Sequence, residues 1–122
     1  MPWLILAFMA VLLAGWWITR LDAVSPQQAK ALLRAGAVVI DVRTAHEFSS
    51  RALPEVINIP LSEVRQRIAE VVPDLRTPVL LHCQSGGRSG IACKMLRSMG
   101  YQRVGNLGSL GRAESILGLR SP

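Results

Sequence analysis

The chain has 122 residues, half of them hydrophobic, two cysteines and a formal net charge of +6. That length allows one domain with an appendage, and two cysteines make neither a disulfide framework nor a zinc set. The basic residues are spread without a run and aromatics are few, which argues against nucleic-acid binding and suits anionic substrates or an anionic membrane surface.

Residues Trp3 to Ile18 carry no charge. As a helix they span about 24 Å at ~1.5 Å per residue, slightly short of a bilayer core of ~30 Å, and residues 1–19 bring this to a marginal span. Trp3 at one end and Trp16-Trp17 at the other read as interfacial anchors. A cleaved signal peptide is the competing reading. No Lys or Arg precedes the apolar run, and Leu21 stands where a site ending at Ala23 wants a small residue. The expectation is therefore an uncleaved transmembrane helix over residues 1–19, engaging the lipid bilayer through residues 3–18, ahead of one domain over residues 20–122. Arg20 directly after the helix points to a cytoplasmic domain. Ala7, Ala10, Ala14 and Gly15 permit contact with a membrane protein partner.

Leu21 to Val24 reads as a short first strand. Ser25-Pro26 gives an N-cap with proline at the first helical position, Ala29, Leu32 and Leu33 give an apolar face, and Gly36 stops the helix. Ala37 to Asp41 is an apolar strand suited to the centre of a parallel sheet. Thr44 with Glu47 makes a capping box opening a short helix that lodges Phe48 in the core. A strand follows over Ile57 to Pro60. Ser62 caps a helix to about Val71, with Val64, Ile68 and Val71 or Val72 buried, and Pro73 ends it. Val79 to Leu81 is a buried strand, Ile91 to Met99 is helical, and Gly100 caps that helix. Val104 to Leu107 is the last strand, before a loop and terminal helix to Leu117. Strands alternating with helices predict an α/β domain of three layers around a mainly parallel sheet.

Cys83 falls at the turn between the buried strand and the following helix, in the stretch His82-Cys83-Gln84-Ser85-Gly86-Gly87-Arg88-Ser89-Gly90. Gly86 and Gly87 let successive backbone N–H groups turn toward one point, which the first helical turn also faces with its positive dipole end. A thiol there is stabilised as thiolate, so Cys83 is the candidate nucleophile and Arg88 a cation facing an approaching anion. His82 points to the opposite side of the sheet from Cys83 and is a poor base for it. His46 is a surface residue. Cys93 lies on the following helix, roughly 13 to 15 Å from Cys83 at 1.5 Å per residue, too far for a disulfide, and is a packing residue.

The run Cys83 to Ser89 resembles the active-site loop of rhodanese domains, in which a cysteine carries sulfane sulfur as a persulfide. Asp41-Val42-Arg43, Glu47-Phe48, Ile57 to Leu61 and Gly100-Tyr101 with Val104 to Gly108 fall in that family's order, over about residues 21–118. The likeness is strongest to small single-domain bacterial rhodaneses of the phage-shock type. It implies a sulfurtransferase with catalytic Cys83 and a substrate-binding loop of Gln84, Ser85, Gly86, Gly87, Arg88 and Ser89. The substrates it implies are a thiosulfate-like anionic donor and a cyanide or thiol acceptor, with neither metal nor organic cofactor. For the membrane helix it implies a single pass in a bacterial cell membrane, with the domain on the periplasmic side, opposite to what Arg20 suggests. Cysteine phosphatases and related arsenate reductases have one residue more in the loop, whereas four separate Cys83 from Arg88 here. The tighter loop suits a persulfide better than a phosphoryl group. A persulfide-carrying binding or signalling module with little turnover is the alternative.

Asp41 and Arg43 leave the carboxyl end of a strand, where ligands of open α/β sheets bind. The resemblance implies a supporting role for them, tying the loop to nearby backbone and to an acid such as Glu47. Arg51-Ala52-Leu53-Pro54-Glu55-Val56 departs from the family's Gly-His-Ile-Pro-Gly-Ala. Because that segment lies near the active-site mouth in relatives, Arg51 and Glu55 are candidates for changing substrate preference.

Overall fold

The computed structural model describes residues 1–118, apart from the side chains of residues 17–21. Helix α1 (Pro2–Leu21) leads into α2 (Pro26–Arg34), strand β1 (Val38–Asp41), α3 (Ala45–Ser50) and β2 (Ile57–Asn58). A 3-10 turn (Leu61–Glu63) and α4 (Val64–Val71) precede β3 (Val79–His82), α5 (Gly87–Ser98), β4 (Val104–Gly108) and α6 (Leu110–Leu117).

Strand β3 is buried along its whole length and sits between β1 and β4. The order is β2-β1-β3-β4 and every pairing is parallel. A parallel sheet needs both faces covered, and two separate clusters supply this. One packs Ile40, Leu81 and Cys83 with Ile68, Cys93 and Leu96 of α4 and α5; the other packs Val39, Leu80 and Leu107 with Ala29, Ala113 and Ile116 of α2 and α6. The three layers expected from the sequence are therefore present. Alternation along β3 sends Leu81 and Cys83 to the α5 side and Leu80 to the α2 side.

The pairing of β3 with β4 shifts after Leu81. Leu81 opposes Asn106 but His82 opposes Gly108, so β4 carries an extra residue at the edge of the turn that follows Cys83. Gly108 accommodates this with φ +88.

Several expectations change locally. The strand over Leu21 to Val24 reduces to one parallel bridge, Ala23 to Asn106, because α1 continues through Leu21. The capping box at Thr44 and Glu47 forms, yet Phe48 is only half-buried, since α3 lies at the rim with no fully buried residue. Ser62 makes no cap; it lies inside the 3-10 turn that leads into α4. Helix α5 begins at Gly87, so Gly87, Arg88 and Ser89 belong to its first turn.

Residues 1–16 are exposed, with Trp3, Leu6, Phe8 and Val11 in the open, while Trp16 borders a cleft shared with Ser85, Gly86 and Gly87. Among the described residues no helix is long and apolar enough to cross a membrane. The anchoring parts assigned to Trp17 and Arg20 concern side chains outside the described residues, as do the last four positions of the expected 20–122 domain.

Candidate active site

Strand β3 delivers Cys83 to the carboxyl end of the sheet, fully buried, where its N–H donates to the Gly108 carbonyl at 3.1 Å. The chain then turns through Gly86, at φ +102, a conformation that disfavours any residue with a Cβ. Gly87 is helical, so only one of the two glycines uses its freedom here. The turn aims the Gly86 N–H at the Cys83 Sγ, 3.0 Å away, and the first turn of α5 places the Ser89 Oγ 3.4 Å from the same sulfur.

Burial pushes the Cys83 thiol up. The Ser89 hydroxyl, the backbone N–H of Ser89 and those of Gly86 and Ser85 together outweigh it, and the net displacement is downward. Cys93 lacks such donors, and burial drives it up to about 12. The two thiols therefore sit in opposite environments: the donors around Cys83 favour its thiolate, and the burial of Cys93 in the core disfavours one.

Arg88, read from the sequence as a cation facing an approaching anion, is held in place by an acid. Its guanidinium grips Glu47 with two hydrogen bonds, Nη1 to Oε1 at 2.6 Å and Nη2 to Oε2 at 3.0 Å. The Arg88 bonds, with the Thr44 N–H, hold the Glu47 carboxyl down at about 2. The pair ties α5 to α3 and leaves the N–H groups of the turn as the positive ends nearest the sulfur.

Asp41 and Arg43 do tie the loop, though not through Glu47. The Arg43 backbone N–H and side-chain Nε and Nη2 all donate to the Asp41 carboxylate, at 2.8 to 3.1 Å. Arg43 also donates to the Arg51 carbonyl and, at 3.4 Å, to Gln84 Oε1. So Gln84 is braced from β1, and Asp41 has its carboxylate occupied by a buried ion pair.

His82 lies on the other side of the strand, as alternation requires. Its Nδ1 faces the Cys83 carbonyl at 3.3 Å, and its buried Nε2 has no hydrogen-bond partner, with Asp41 Oδ2 3.8 Å away. A carbonyl only accepts, so Nδ1 carries the proton. Burial lowers the His82 pKa, against the opposing pull of Asp41.

The divergent segment splits. Arg51 pairs with Glu114 of α6, while Glu55 lines a 400 Å³ hollow with Leu33, Ala37 and Val38. That hollow is at the start of β1, the opposite end of the sheet from Cys83, so Glu55 is not at the site mouth. A larger cleft of about 850 Å³ runs along Ser85, Gly86 and Gly87 and is bounded by Trp16, Gln28 and Arg112. Among the described residues no cluster of His, Cys, Asp and Glu is arranged to hold a metal ion.

A residue that loop spacing did not indicate is Asn106, buried on β4, whose amide oxygen lies 2.8 Å from Ser89 Oγ.

The site is thus a cysteine sulfur facing a backbone N–H and a serine hydroxyl at a β-strand-to-helix turn of a parallel α/β domain. The chain belongs to the rhodanese-like domain family, whose pattern matches residues 25–109. It is 44% identical over 71 residues to thiosulfate sulfurtransferase PspE of Escherichia coli (strain K12), covering 58% of this chain and 68% of that protein. Thiosulfate sulfurtransferase GlpE of Pseudomonas savastanoi pv. phaseolicola is 32% identical over 87 residues, covering 71% of this chain and 80% of its own length. Among solved structures, a rhodanese with anions from E. coli superposes with a TM-score of 0.60 at 41% identity, covering 62% of this chain and 89% of its own. The names of these relatives support sulfurtransferase activity.

Proposed function

We propose that the chain is a thiosulfate or sulfane sulfurtransferase working through a persulfide on Cys83. The observation that carries this is the thiolate cradle: Gly86 N–H at 3.0 Å and Ser89 Oγ at 3.4 Å around a sulfur whose pKa is lowered despite burial. The Cys83 thiolate attacks the outer sulfur of thiosulfate. A sulfur–sulfur bond forms, and the bond to the sulfite group breaks with its electron pair leaving on sulfite. The persulfide's negative terminal sulfur stands about 2 Å beyond Sγ, a sulfur–sulfur bond length, and moves toward the open cleft beside Ser85 to Gly87. Gln84, braced by Arg43, and the amides of Ser85 to Ser89 stabilise the charge, while Arg88, held by Glu47, fixes the turn. Cyanide or a cellular thiol then attacks the terminal sulfur and returns Cys83 as thiolate.

Intact-mass measurement after incubation with thiosulfate tests this. Wild type and Cys93→Ala gain one sulfur, reversed by cyanide or thiol, and Cys83→Ser gains none. Absence of the adduct on wild type refutes thiosulfate sulfurtransfer; an adduct on wild type that no acceptor removes favours a sulfur-carrying module instead.

The membrane assignment is part of the same reading: α1 anchors the domain in the bacterial cell membrane, with residues 3–18 in lipid. Supporting it is the exposure of Trp3, Leu4, Ile5, Leu6, Phe8 and Met9, a hydrophobic surface that no part of the domain covers. Sedimentation of the full chain with vesicles, resistant to carbonate extraction, is the expected result; recovery in the supernatant refutes it.

A further inference from the structure

Ser89 has one hydroxyl proton and three acceptors around it. Asn106 Oδ1 is at 2.8 Å, the Gly86 carbonyl at 3.2 Å and Cys83 Sγ at 3.4 Å. The orientation of the Asn106 amide follows from its neighbours. The Gly108 N–H is a donor only and faces one end at 2.8 Å, so that end is the oxygen; the other end, Nδ2, then meets the Gly86 carbonyl at 3.2 Å. Asn106 thus touches, on one side, the hydroxyl that faces the sulfur and, on the other, the carbonyl of the residue whose N–H faces the sulfur.

The β4 irregularity creates this contact. Because Leu81 opposes Asn106 while His82 opposes Gly108, the Gly108 N–H folds back onto the Asn106 side chain two positions earlier and locks it. A regular β4 would spend that N–H on the ladder.

A serine in the first turns of a helix has another option, donating back to the carbonyl three or four residues earlier. Here that acceptor is the Gly86 carbonyl. From its one position the hydroxyl oxygen reaches that carbonyl, Asn106 and the sulfur alike, so the acceptor that takes its proton decides what it does for the sulfur.

We propose that Asn106 is a positioning residue for Cys83, its amide oxygen competing with the sulfur for the single Ser89 proton and its amide nitrogen holding the Gly86 carbonyl beside that hydroxyl. The inference rests on Cys83 being the sulfur-bearing nucleophile. When the sulfur is protonated, Ser89 gives its proton to Asn106. When the sulfur is anionic, as thiolate or persulfide, the proton must leave Asn106 to reach it, and the amide oxygen left facing the hydroxyl oxygen opposes the anion. Asn106 touches neither substrate nor sulfur and acts through Ser89 and Gly86.

Other titratable and charged groups lie near the same sulfur: Arg88 with its partner Glu47 from α3 and Cys93 on α5, with Asp22 across Gly90 from Asn106. Substituting Asn106 leaves all of them in place, so their contribution cancels in a comparison of variants.

The experiment is the pH dependence of iodoacetamide alkylation in a Cys93→Ala background, which reads the Cys83 thiolate directly. Ser89→Ala should raise the midpoint by about one pH unit, the loss of one hydrogen bond to a charged acceptor, whereas Asn106→Ala, which frees the Ser89 proton for the sulfur, should lower it. The double variant should sit with Ser89→Ala, because without the hydroxyl Asn106 has nothing to act through. Asn106→Asp keeps the side-chain shape and serves if Asn106→Ala does not fold; its carboxylate holds the Ser89 proton more strongly, so the midpoint rises. A midpoint that neither falls in Asn106→Ala nor rises in Asn106→Asp, or shifts that add in the double variant, overturns the proposal. Thiosulfate loading of the parent protein is measured alongside. If loading fails while the Ser89 and Asn106 shifts couple, the sulfurtransferase reading falls and the positioning role stands.

Discussion

Replacing Gly86 by alanine forces a choice between stability and the thiolate. Gly86 has φ +102, and a Cβ built there lies 3.4 Å from the Gly108 Cα and 3.6 Å from its carbonyl carbon. Those contacts are tight but tolerable; the backbone conformation is not, and holding an L-residue in such a region costs about 1–3 kcal/mol. If the variant keeps the native turn, urea unfolding registers that loss and the thiol titrates as before. If the turn relaxes, its N–H leaves the sulfur. Losing a hydrogen bond to a charged acceptor is worth about 1.5–3 kcal/mol, a rise of about one to two pH units in the alkylation midpoint. Both measurements are therefore made on the same variant, with Gly87→Ala beside it. Gly87 is helical with nothing within 4 Å of an added Cβ, and alanine there should leave stability equal or raise it by up to about 1 kcal/mol. Wild-type stability together with a wild-type midpoint in Gly86→Ala would refute the account of the cradle.

Gly105→Ala places a Cβ 2.7 Å from Val24 Cγ1 and 2.8 Å from Leu80 Cδ2, and should destabilise the fold by about 1–3 kcal/mol in urea unfolding. Glu55 is a non-glycine residue at φ +62; Glu55→Gly should stabilise by about 0.5–1 kcal/mol, strain relief of about 1–2 less the added unfolded-state entropy, and a loss of stability would contradict this. His82 titrates below its ordinary 6.5 when folded, so below that pH the unfolded chain takes up a proton that the buried ring refuses. Stability should hold above about pH 6.5 and fall below it, flattening once pH passes the folded value, and His82→Asn should reduce that slope. Equal pH slopes for both proteins would show that the ring does not titrate as described.

Cys83, the glycine turn and the α/β order were legible because each rests on neighbours in the chain. Strand, turn and helix chemistry is local, and the N-cap at Ser25 and the capping box at Thr44 follow from spacing alone. The partner of Arg88 was not legible: Glu47 is 41 positions away, and only the docking of α3 on α5 brings them together. Asn106 was hidden for a similar reason, since its place beside Ser89 depends on an extra residue in β4 that no local pattern announces. Phe48 shows the limit of periodicity, which identifies a helix face but not whether a six-residue helix has anything to pack against. One signal was available and undervalued. Glu55 occupies a position where the family pattern has glycine, and a side chain there implies a strained backbone regardless of its charge.

The rims of the sheet give strands of other molecules little to pair with. On one side β2 is only Ile57–Asn58, and the Asn58 side chain turns inward to the Asp41 and Arg43 carbonyls, with Pro60 two residues on. On the other, Ala23 covers β4 and the Val24 N–H takes the Asn106 carbonyl. Short, interrupted and covered edges are how sheets avoid templating fibrils. For another strand to add at either rim, the Asn58 bonds to the end of β1 or the Ala23 bridge to β4 would first have to open.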